Sequence, residues 1–242
     1  MEGKYSRTRR VPLSLCDKTG KLGLPGIFTW FSDLAADHGE EIGLGVEAVT
    51  ARGLFWLTAR TRIRIFRRPA LAEIVTVSTW PEKPGAARCS RDYTITGADG
   101  LLAAGKTDWA VVETATGRIH PLRDFYPPEL NAVLTDETVW TEPFSRIGED
   151  FTACGVKAEY TVCSSDIDVG GHMNNAVYAR VLFGAFTCEE LLERNFTDAE
   201  LSFRSPSYEG ERLTVRLRPG EGCTEAGVFG GDGRTVLLSR LK

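Results

Sequence analysis

The order of predicted elements repeats once along the chain, and this repetition constrains the fold more than any other sequence feature. In the first half, a strand over "RTRRVPLSLCD" precedes a helix over "LPGIFTWFSDLAADHGEEIG". In the second half, a strand over "VKAEYTVCSSD" precedes a helix over "NNAVYARVLFGAFTCEELLERN". Each helix shows apolar residues at helical spacing, and a series of strand-like runs follows each one. The repeated order indicates two units built on one plan.

A local similarity supports the same conclusion. The segment "IFRRPALAEIVTV" at 65–77 resembles "FRSPSYEGERLTV" at 203–215. Each contains a strand, a proline, a short turn with an acidic residue and a second strand that ends in Thr-Val. Two unrelated strand–turn–strand units could also produce this match, and the shared element order favours duplication.

The strand-like runs after each helix predict the fold class. In the first half they are "FWLTART", "RIRIF", "EIVTVSTW", "ARCSRDYTIT" and "AGKTDWAVVE"; in the second half they are "AELSFRSP", "ERLTVRLRP", "CTEAGVFG" and "GRTVLLSRL". A long helix followed by antiparallel strands must bury its apolar face on the sheet. The sequence therefore predicts an α+β protein with two helices packed on one continuous sheet. Proline-rich sequence around 121–148 predicts a domain at 1–130, a linker at 131–150 and a second domain at 151–242.

Composition excludes several classes of function. The 242 residues carry a net charge of −4, without the basic excess of most nucleic-acid-binding proteins. No apolar run approaches the roughly 18 residues of a membrane span, and the start of the chain has no signal-like apolar stretch, so we expect a cytoplasmic protein without membrane insertion. The six cysteines form no Cys-x-x-Cys pair, which favours reduced, mostly buried thiols over disulfides or a zinc site.

The stretch "SSDIDVGGHMNNAVY" at 164–178 concentrates the chemically useful residues. Its spacing begins like a calcium-binding EF-hand loop, but Gly170 and Val177 occupy positions that need oxygen ligands, so a calcium site is excluded. Asn174 or Asn175 can cap the helix that follows. One interpretation is a structural turn before a helix.

The other interpretation of this stretch is an active site. Asp168 and His172 lie four residues apart in a glycine-rich turn. Backbone N–H groups around Asn174 and Asn175, at the start of a helix, could hold an oxyanion. An acid or base, an orienting carboxylate and amide donors for an oxyanion are the components that a catalytic site needs.

These motifs resemble those of the acyl-ACP thioesterase family. "DIDVGGHMNNAVYARVLF" is similar to the family signature D-x-D-x-N-x-H-x-N-N-x-x-Y, and "FWLTARTRIRIFRRPALAEIVTVSTWPE", "RCSRDYTI" and "DWAVVETATGRIHPL" are similar to segments of its first domain. The resemblance covers nearly the whole chain. It implies two tandem hotdog domains and hydrolysis of the thioester between a fatty acyl chain and acyl carrier protein, with no metal and no cofactor.

The resemblance places the catalytic aspartate at Asp168 and the histidine at His172. The family's asparagine falls on Gly170, and its glutamate falls on Pro206, so two expected polar side chains are replaced. Glu209 or Glu211 could substitute for that glutamate, although neighbouring strand residues point to different faces.

The resemblance also assigns the acyl chain to the first domain, which makes Trp30, Phe31 and Trp56 candidate substrate-binding residues. The partners it implies are acyl carrier protein and a fatty acyl thioester, and pairing of two chains is left open.

A basic run could meet the acidic carrier; its residues are Arg60, Arg62, Arg64, Arg67 and Arg68. His38 is expected to cap its helix or to be partly exposed, and Cys163 and Cys188 to be core residues.

Two alternatives to this enzyme remain open at the level of sequence. The replacements at Gly170 and Pro206 are also compatible with a protein that binds an acyl thioester or fatty acid and hydrolyses it slowly or not at all. The second alternative is a thioesterase that acts on acyl-CoA.

Overall fold

The computed structural model describes residues 3–122 and 125–242. The chain forms two compact units. The first comprises residues 1–61 and 65–142, and the second comprises residues 62–64 and 143–242. The division near 142 lies inside the segment predicted as a linker.

Among the described residues, each unit contains five strands and two α-helices. In the first unit the elements are β1 (Tyr5–Arg10), α1 (Leu24–Glu41), α2 (Val46–Thr50), β2 (Leu54–Ile65), β3 (Ile74–Pro81), β4 (Cys89–Gly97) and β5 (Gly100–Glu113). In the second they are β6 (Val156–Thr161), α3 (Asn175–Gly184), α4 (Cys188–Arg194), β7 (Asp198–Phe203), β8 (Arg212–Gly220), β9 (Cys223–Gly230) and β10 (Thr235–Leu241). The predicted α+β class is confirmed.

The strands of both units follow the same order. In the first unit it is β1-β3-β4-β5-β2, and in the second it is β6-β8-β9-β10-β7. Each strand of the first order corresponds to the strand at the same place in the second. The runs "FWLTART" and "RIRIF", predicted separately, form one twelve-residue strand, β2.

Helix α1 is the long helix predicted for the first unit, and it packs against β3 and β1. Pro25 lies in its first turn, where a missing N–H costs nothing. Its buried face includes His38, which is 1% exposed, so the expectation of partial exposure was wrong. The His38 Nδ1 lies 2.9 Å from Nη1 of Arg91, and because the guanidinium can only donate, this imidazole nitrogen must accept.

The helix predicted for the second unit is divided into α3 and α4. Thr187 begins α4: its hydroxyl accepts from the Glu190 amide, and the Glu190 carboxylate accepts from the Thr187 amide. This capping box satisfies amides that a continuous helix would bond internally. The Thr-x-x-Glu spacing was a local signal for the break.

The internal duplication is confirmed by matched backbone hydrogen bonds. The Ala72 amide donates to Val11 O at 3.0 Å, and the Gly210 amide donates to Val162 O at 2.9 Å. Ala72 and Gly210 both adopt positive φ angles, of 67° and 81°. These pairs align 65–77 with 203–215 in the register that the sequence similarity gave.

A buried ionic cluster fastens the end of the first unit to its sheet. Lys106 Nζ donates to Glu82 Oε1 at 2.6 Å and to the carbonyl of Trp140 at 3.3 Å. Asp92 is completely buried, and its Oδ1 accepts from the Val139 amide at 3.3 Å. Burial and the adjacent Glu82 carboxylate raise the pKa of Asp92 to about 8. Asp92 therefore carries a proton at neutral pH, while Glu82 pairs with the lysine.

No helix among the described residues has the length and apolar composition needed to cross a membrane.

We predict that the first unit loses stability as Asp92 ionises. Because the folded-state pKa lies above that of an unfolded aspartate, the stabilisation is present at low pH and is lost as pH rises through about 8. Between pH 6 and 9 the free energy of unfolding should fall by about 2.7 kcal/mol from this group, and most of the fall lies below pH 8. Urea unfolding of the wild type and of Asp92→Asn measures it. The neutral variant should lack this decline, and parallel curves for the two proteins would contradict the assignment.

Candidate active site

The segment from Asp166 to Asn174 forms a closed turn before α3. The Asp168 amide donates to His172 O at 3.0 Å, and the Gly171 amide donates to Asp168 O at 2.9 Å. Gly171 has a φ of 74°, which a residue without a side chain adopts at little cost. The turn therefore contains Asp168, Gly170, His172 and Asn174, and their catalytic roles stay a prediction.

Both carboxylate oxygens of Asp168 accept hydrogen bonds. The Gly170 amide donates to Oδ1 at 2.8 Å, and the Asn174 Nδ2 donates to Oδ2 at 3.3 Å. One bond comes from within the turn and the other from the residue that caps α3. Gly170 thus supplies a backbone donor, although it has no side-chain amide.

His172 is half-buried and lies within this turn. Its Nδ1 lies 3.3 Å from the carbonyl oxygen of Met173. A carbonyl can only accept, so in this contact Nδ1 carries the hydrogen, and in the neutral ring Nε2 carries the lone pair. The Met173 amide donates to Ser207 O at 2.8 Å, which joins the turn to the segment after β7. The ring therefore has the tautomer that a general base acting through Nε2 requires.

Asp166, the first aspartate of the D-x-D pair, anchors the turn. It is 1% exposed and accepts from the Tyr160 hydroxyl at 2.6 Å, the Cys163 amide at 2.8 Å and Arg180 Nη2 at 2.6 Å. Burial opposes its ionisation, but the bonds from Tyr160 and Cys163 and the charge of Arg180 outweigh burial and lower the pKa of Asp166. Sequence reasoning missed this role, because the three donors are identified only by the fold.

The first unit contains the same turn with different side chains. The Asp17 amide donates to Lys21 O at 2.9 Å, and the Thr19 amide donates to Asp17 Oδ1 at 2.8 Å. Lys21 thus occupies the place of His172. The carboxylate of Asp17 forms an ion pair with Arg68, which corresponds to Pro206 in the aligned segments. A long side chain at the position of Pro206 can therefore reach the aspartate of the turn.

The segment after β7 does not supply an obvious replacement for the missing glutamate. Pro206 is exposed, and its carbonyl accepts from Arg234 Nη2 at 2.9 Å. The carboxylate of Glu211 forms an ion pair with the same arginine, and Glu209 is exposed. The charge of Glu211 is therefore already compensated by Arg234.

The amides predicted to hold an oxyanion are not equivalent. The Asn174 amide donates to Asp166 O at 2.8 Å, and the Ala176 amide donates to the Asn174 Oδ1 at 2.8 Å. Both donors are engaged in closing the turn and capping α3. The Asn174 amide is therefore committed to the turn, and an oxyanion role for Asn175 stays a prediction.

The predicted substrate-binding aromatic residues lie in the first unit. Trp30 and Phe31 are buried in α1, and Phe31 stacks on Tyr93 with a centroid distance of 4.6 Å. Trp56 is half-buried on β2 and lies edge-on to Trp109 at 6.0 Å. Their contact with an acyl chain stays a prediction.

Two further expectations concern thiols and charge. Cys163 and Cys188 are exposed, so the expectation of core positions was wrong. The predicted basic run is matched by acidic partners rather than forming a patch of uncompensated charge; its ion pairs are Arg60–Asp108, Arg62–Glu200, Arg64–Asp198, Arg67–Glu73 and Arg68–Asp17. Within residues 3–122 and 125–242, no three His, Cys, Asp or Glu side chains are arranged to hold a metal ion.

Comparison with known families gives two matches in chain order. The acyl-ACP thioesterase N-terminal domain matches residues 2–128, and the acyl-ACP thioesterase C-terminal domain matches residues 152–226. Together these matches cover most of the chain.

Curated relatives are plant proteins of low sequence identity. The oleoyl-acyl carrier protein thioesterase 2 of Arabidopsis thaliana is 24% identical over 167 residues, which cover 60% of this chain and 44% of the relative. The palmitoyl-acyl carrier protein thioesterase of Gossypium hirsutum is 25% identical over 220 residues, which cover 86% of this chain and 53% of the relative. The chain spans about half the length of the curated relatives that it matches.

Solved structures show the same fold. An acyl-ACP thioesterase from Bacteroides thetaiotaomicron has a TM-score of 0.86 at 20% identity, with 99% of this chain and 97% of that chain covered. The 12:0-ACP thioesterase from Umbellularia californica has a TM-score of 0.87 at 18% identity, with 100% and 97% covered. The predicted fold of two tandem hotdog domains is confirmed.

We predict that Asp166→Asn destabilises the second unit by about 2 kcal/mol, because an amide removes the charge that Arg180 and the other donors stabilise. The difference from wild type should shrink as pH falls, since protonation of Asp166 removes the same charge. Urea unfolding at pH 7 and at acidic pH measures both effects. Glu159→Gln is the matched control: it breaks an exposed pair with Arg212 and should cost less than about 0.5 kcal/mol. Equal effects of the two variants would contradict an anchoring role.

Proposed function

Because the chain belongs to the acyl-ACP thioesterase family, we propose that it hydrolyses the thioester of fatty acyl-ACP to a free fatty acid and the carrier protein. The observation that carries this proposal is the turn before α3, in which two hydrogen bonds hold the Asp168 carboxylate and the Asp168 amide donates to the carbonyl of His172. The corresponding turn of the first unit has lysine in place of the histidine, so the proposed site belongs to the second unit.

In the proposed reaction His172 acts as the general base. Its Nε2 takes a proton from water as the water oxygen attacks the thioester carbonyl, and an amide near Asn175 stabilises the oxyanion that forms. The carbon–sulfur bond then breaks, and the imidazolium returns the proton to the thiolate of the carrier. The Asp168 carboxylate is the second proposed catalytic group, and the amides of Gly170 and Asn174 hold it in place.

Two side chains of the family signature are absent from this proposed site. At Gly170 the backbone amide still donates to Asp168, so one interaction of the aspartate is retained. At Pro206 no proton-transfer group is present, and Glu211 is paired with Arg234. The proposed reaction therefore depends on His172 as its base.

The loss at Pro206 favours a second candidate function, an acyl-thioester-binding protein with little or no hydrolysis. An acyl-CoA thioesterase is the alternative with a different carrier. The names of the curated relatives support acyl carrier protein as the carrier.

In this proposal the first domain holds the acyl chain, with Trp30, Phe31 and Trp56 as candidate contacts. We also propose a cytoplasmic location and a role in fatty acid biosynthesis, which the substrate class supports; pairing of two chains stays a prediction.

We predict that His172→Ala and Asp168→Asn each reduce hydrolysis of acyl-ACP by about 100-fold or more, because each removes part of the proposed base. Release of free thiol from acyl-ACPs of several chain lengths measures the rate. Acyl-CoA of equal chain length tests the carrier. The matched controls are Lys21→Ala and Asp17→Asn, which change the equivalent residues of the first unit and should leave the rate within about twofold, as expected for residues outside the catalytic site.

Unchanged rates in both second-unit variants would contradict the catalytic assignment. A wild-type protein that retains acyl chains without turnover would instead support the binding function. Faster release from acyl-CoA than from acyl-ACP would favour the alternative carrier.

We predict that Pro206→Arg slows the proposed reaction without unfolding the protein. In the first unit Arg68, at the corresponding position, forms an ion pair with Asp17. An arginine at 206 should reach Asp168 in the same way and compete with His172 for its charge, which lowers kcat by about 10-fold or more. Pro206→Ala is the control and should keep wild-type kcat. If both variants keep it, position 206 does not face Asp168.

A further inference from the structure

The side chain of Asn174 makes two hydrogen bonds in opposite directions. Its Oδ1 accepts from the Ala176 amide at 2.8 Å and caps α3, and its Nδ2 donates to Asp168 Oδ2 at 3.3 Å. An amide N–H can only donate, so the atom facing Ala176 must be the oxygen. The cap thereby fixes the orientation of the side chain and directs its NH₂ group to the Asp168 carboxylate.

The backbone of Asn174 is held independently of its side chain. Its amide donates to Asp166 O at 2.8 Å, and the Asp166 carboxylate is fixed by Tyr160, Cys163 and Arg180. Asn174 is thus attached to the best-anchored point of the turn. A donor on such a residue can restrict the rotamer of Asp168 at little further entropic cost.

The turn of the first unit, which has no proposed catalytic role, forms without an asparagine at the start of its helix. Gly23 occupies the place of Asn174, and its amide donates to Leu15 O at 2.9 Å, as the Asn174 amide does to Asp166 O. Gly23 begins α1 without any side-chain cap. The same backbone turn and helix start therefore form without asparagine, so neither of them explains a side-chain donor directed at Asp168.

We propose that Asn174 is a positioning residue for Asp168 and supplies from the helix cap the amide that is missing at Gly170. The inference rests on the proposed function, because it gives Asp168 a catalytic task. Together, the Gly170 amide and the Asn174 amide fix both oxygens of the carboxylate. The carboxylate is held in one orientation throughout turnover, and its charge is available to His172.

The experiment separates capping from positioning by comparing two substitutions. Asn174→Ser keeps an oxygen that can cap α3 and removes the donor to Asp168, whereas Asn174→Ala removes both. Each is measured in the wild-type chain and in the Asp168→Asn background, by steady-state and single-turnover thiol release from acyl-ACP and by thermal unfolding.

Positioning predicts that Asn174→Ser lowers kcat by about 10-fold, with KM within about twofold and Tm almost unchanged. Asn174→Ala should lower kcat by a similar factor and also lower Tm by about 2–4 °C. In the Asp168→Asn background the serine substitution should cause no further loss, because the group that it positions has been removed.

Three results would overturn the inference. The first is wild-type kcat in Asn174→Ser, which would reduce the role of Asn174 to capping. The second is an equal loss from Asn174→Ser with and without the Asp168 carboxylate. The third is wild-type kcat in Asp168→Asn, which would contradict the proposed use of Asp168 as well; the first two results leave that proposed use intact.

Discussion

The arrangement of the candidate site depends on the buried carboxylate of Asp166. Its side chain connects Tyr160, Cys163 and Arg180, and its carbonyl oxygen receives the amide of Asn174. The start of α3 is therefore fixed relative to β6. An ionised group in such a position is favourable only when several donors compensate for its lost hydration. The Gly170 and Asn174 donors that hold the next aspartate, Asp168, lie on this anchored turn.

Duplication explains why one protein can contain two identical turns with different chemistry. The backbone bonds that close the turn are the same in both units, and both turns keep an aspartate, whereas the side chains differ at the places of His172, Asn174 and Pro206. In the first unit, Arg68 neutralises Asp17, and a lysine replaces the histidine. In the second unit, Pro206 leaves Asp168 without a cationic partner from that segment, and His172 is present. The contrast shows that the turn is a scaffold and that side-chain substitution decides whether it can act as a site.

Local patterns predicted the order of elements well and their boundaries less well. The helix of the first unit and the strands after it were recognised because apolar periodicity and turn residues are properties of short segments. The break between α3 and α4 was missed although the Thr187–Glu190 capping box is local, because the apolar pattern continues across it. The expectations for three residues were wrong: His38 is buried, and Cys163 and Cys188 are exposed. Burial depends on which face each element presents to the core, and this is not a property of a short segment.

The sequence by itself determined the duplicated plan, the family resemblance and the position of the turn that carries Asp168 and His172. Those conclusions need only residue spacing, helix caps and glycines, which act over a few neighbouring residues. Only the tertiary structure decided that Asp166 is the anchor, that Asn174 directs an amide to Asp168, and that Asp92 shares a buried cluster with Glu82 and Lys106. Each of these depends on desolvation and on donors that are brought together by folding, so the residues concerned carry no signal in the sequence that identifies their partners.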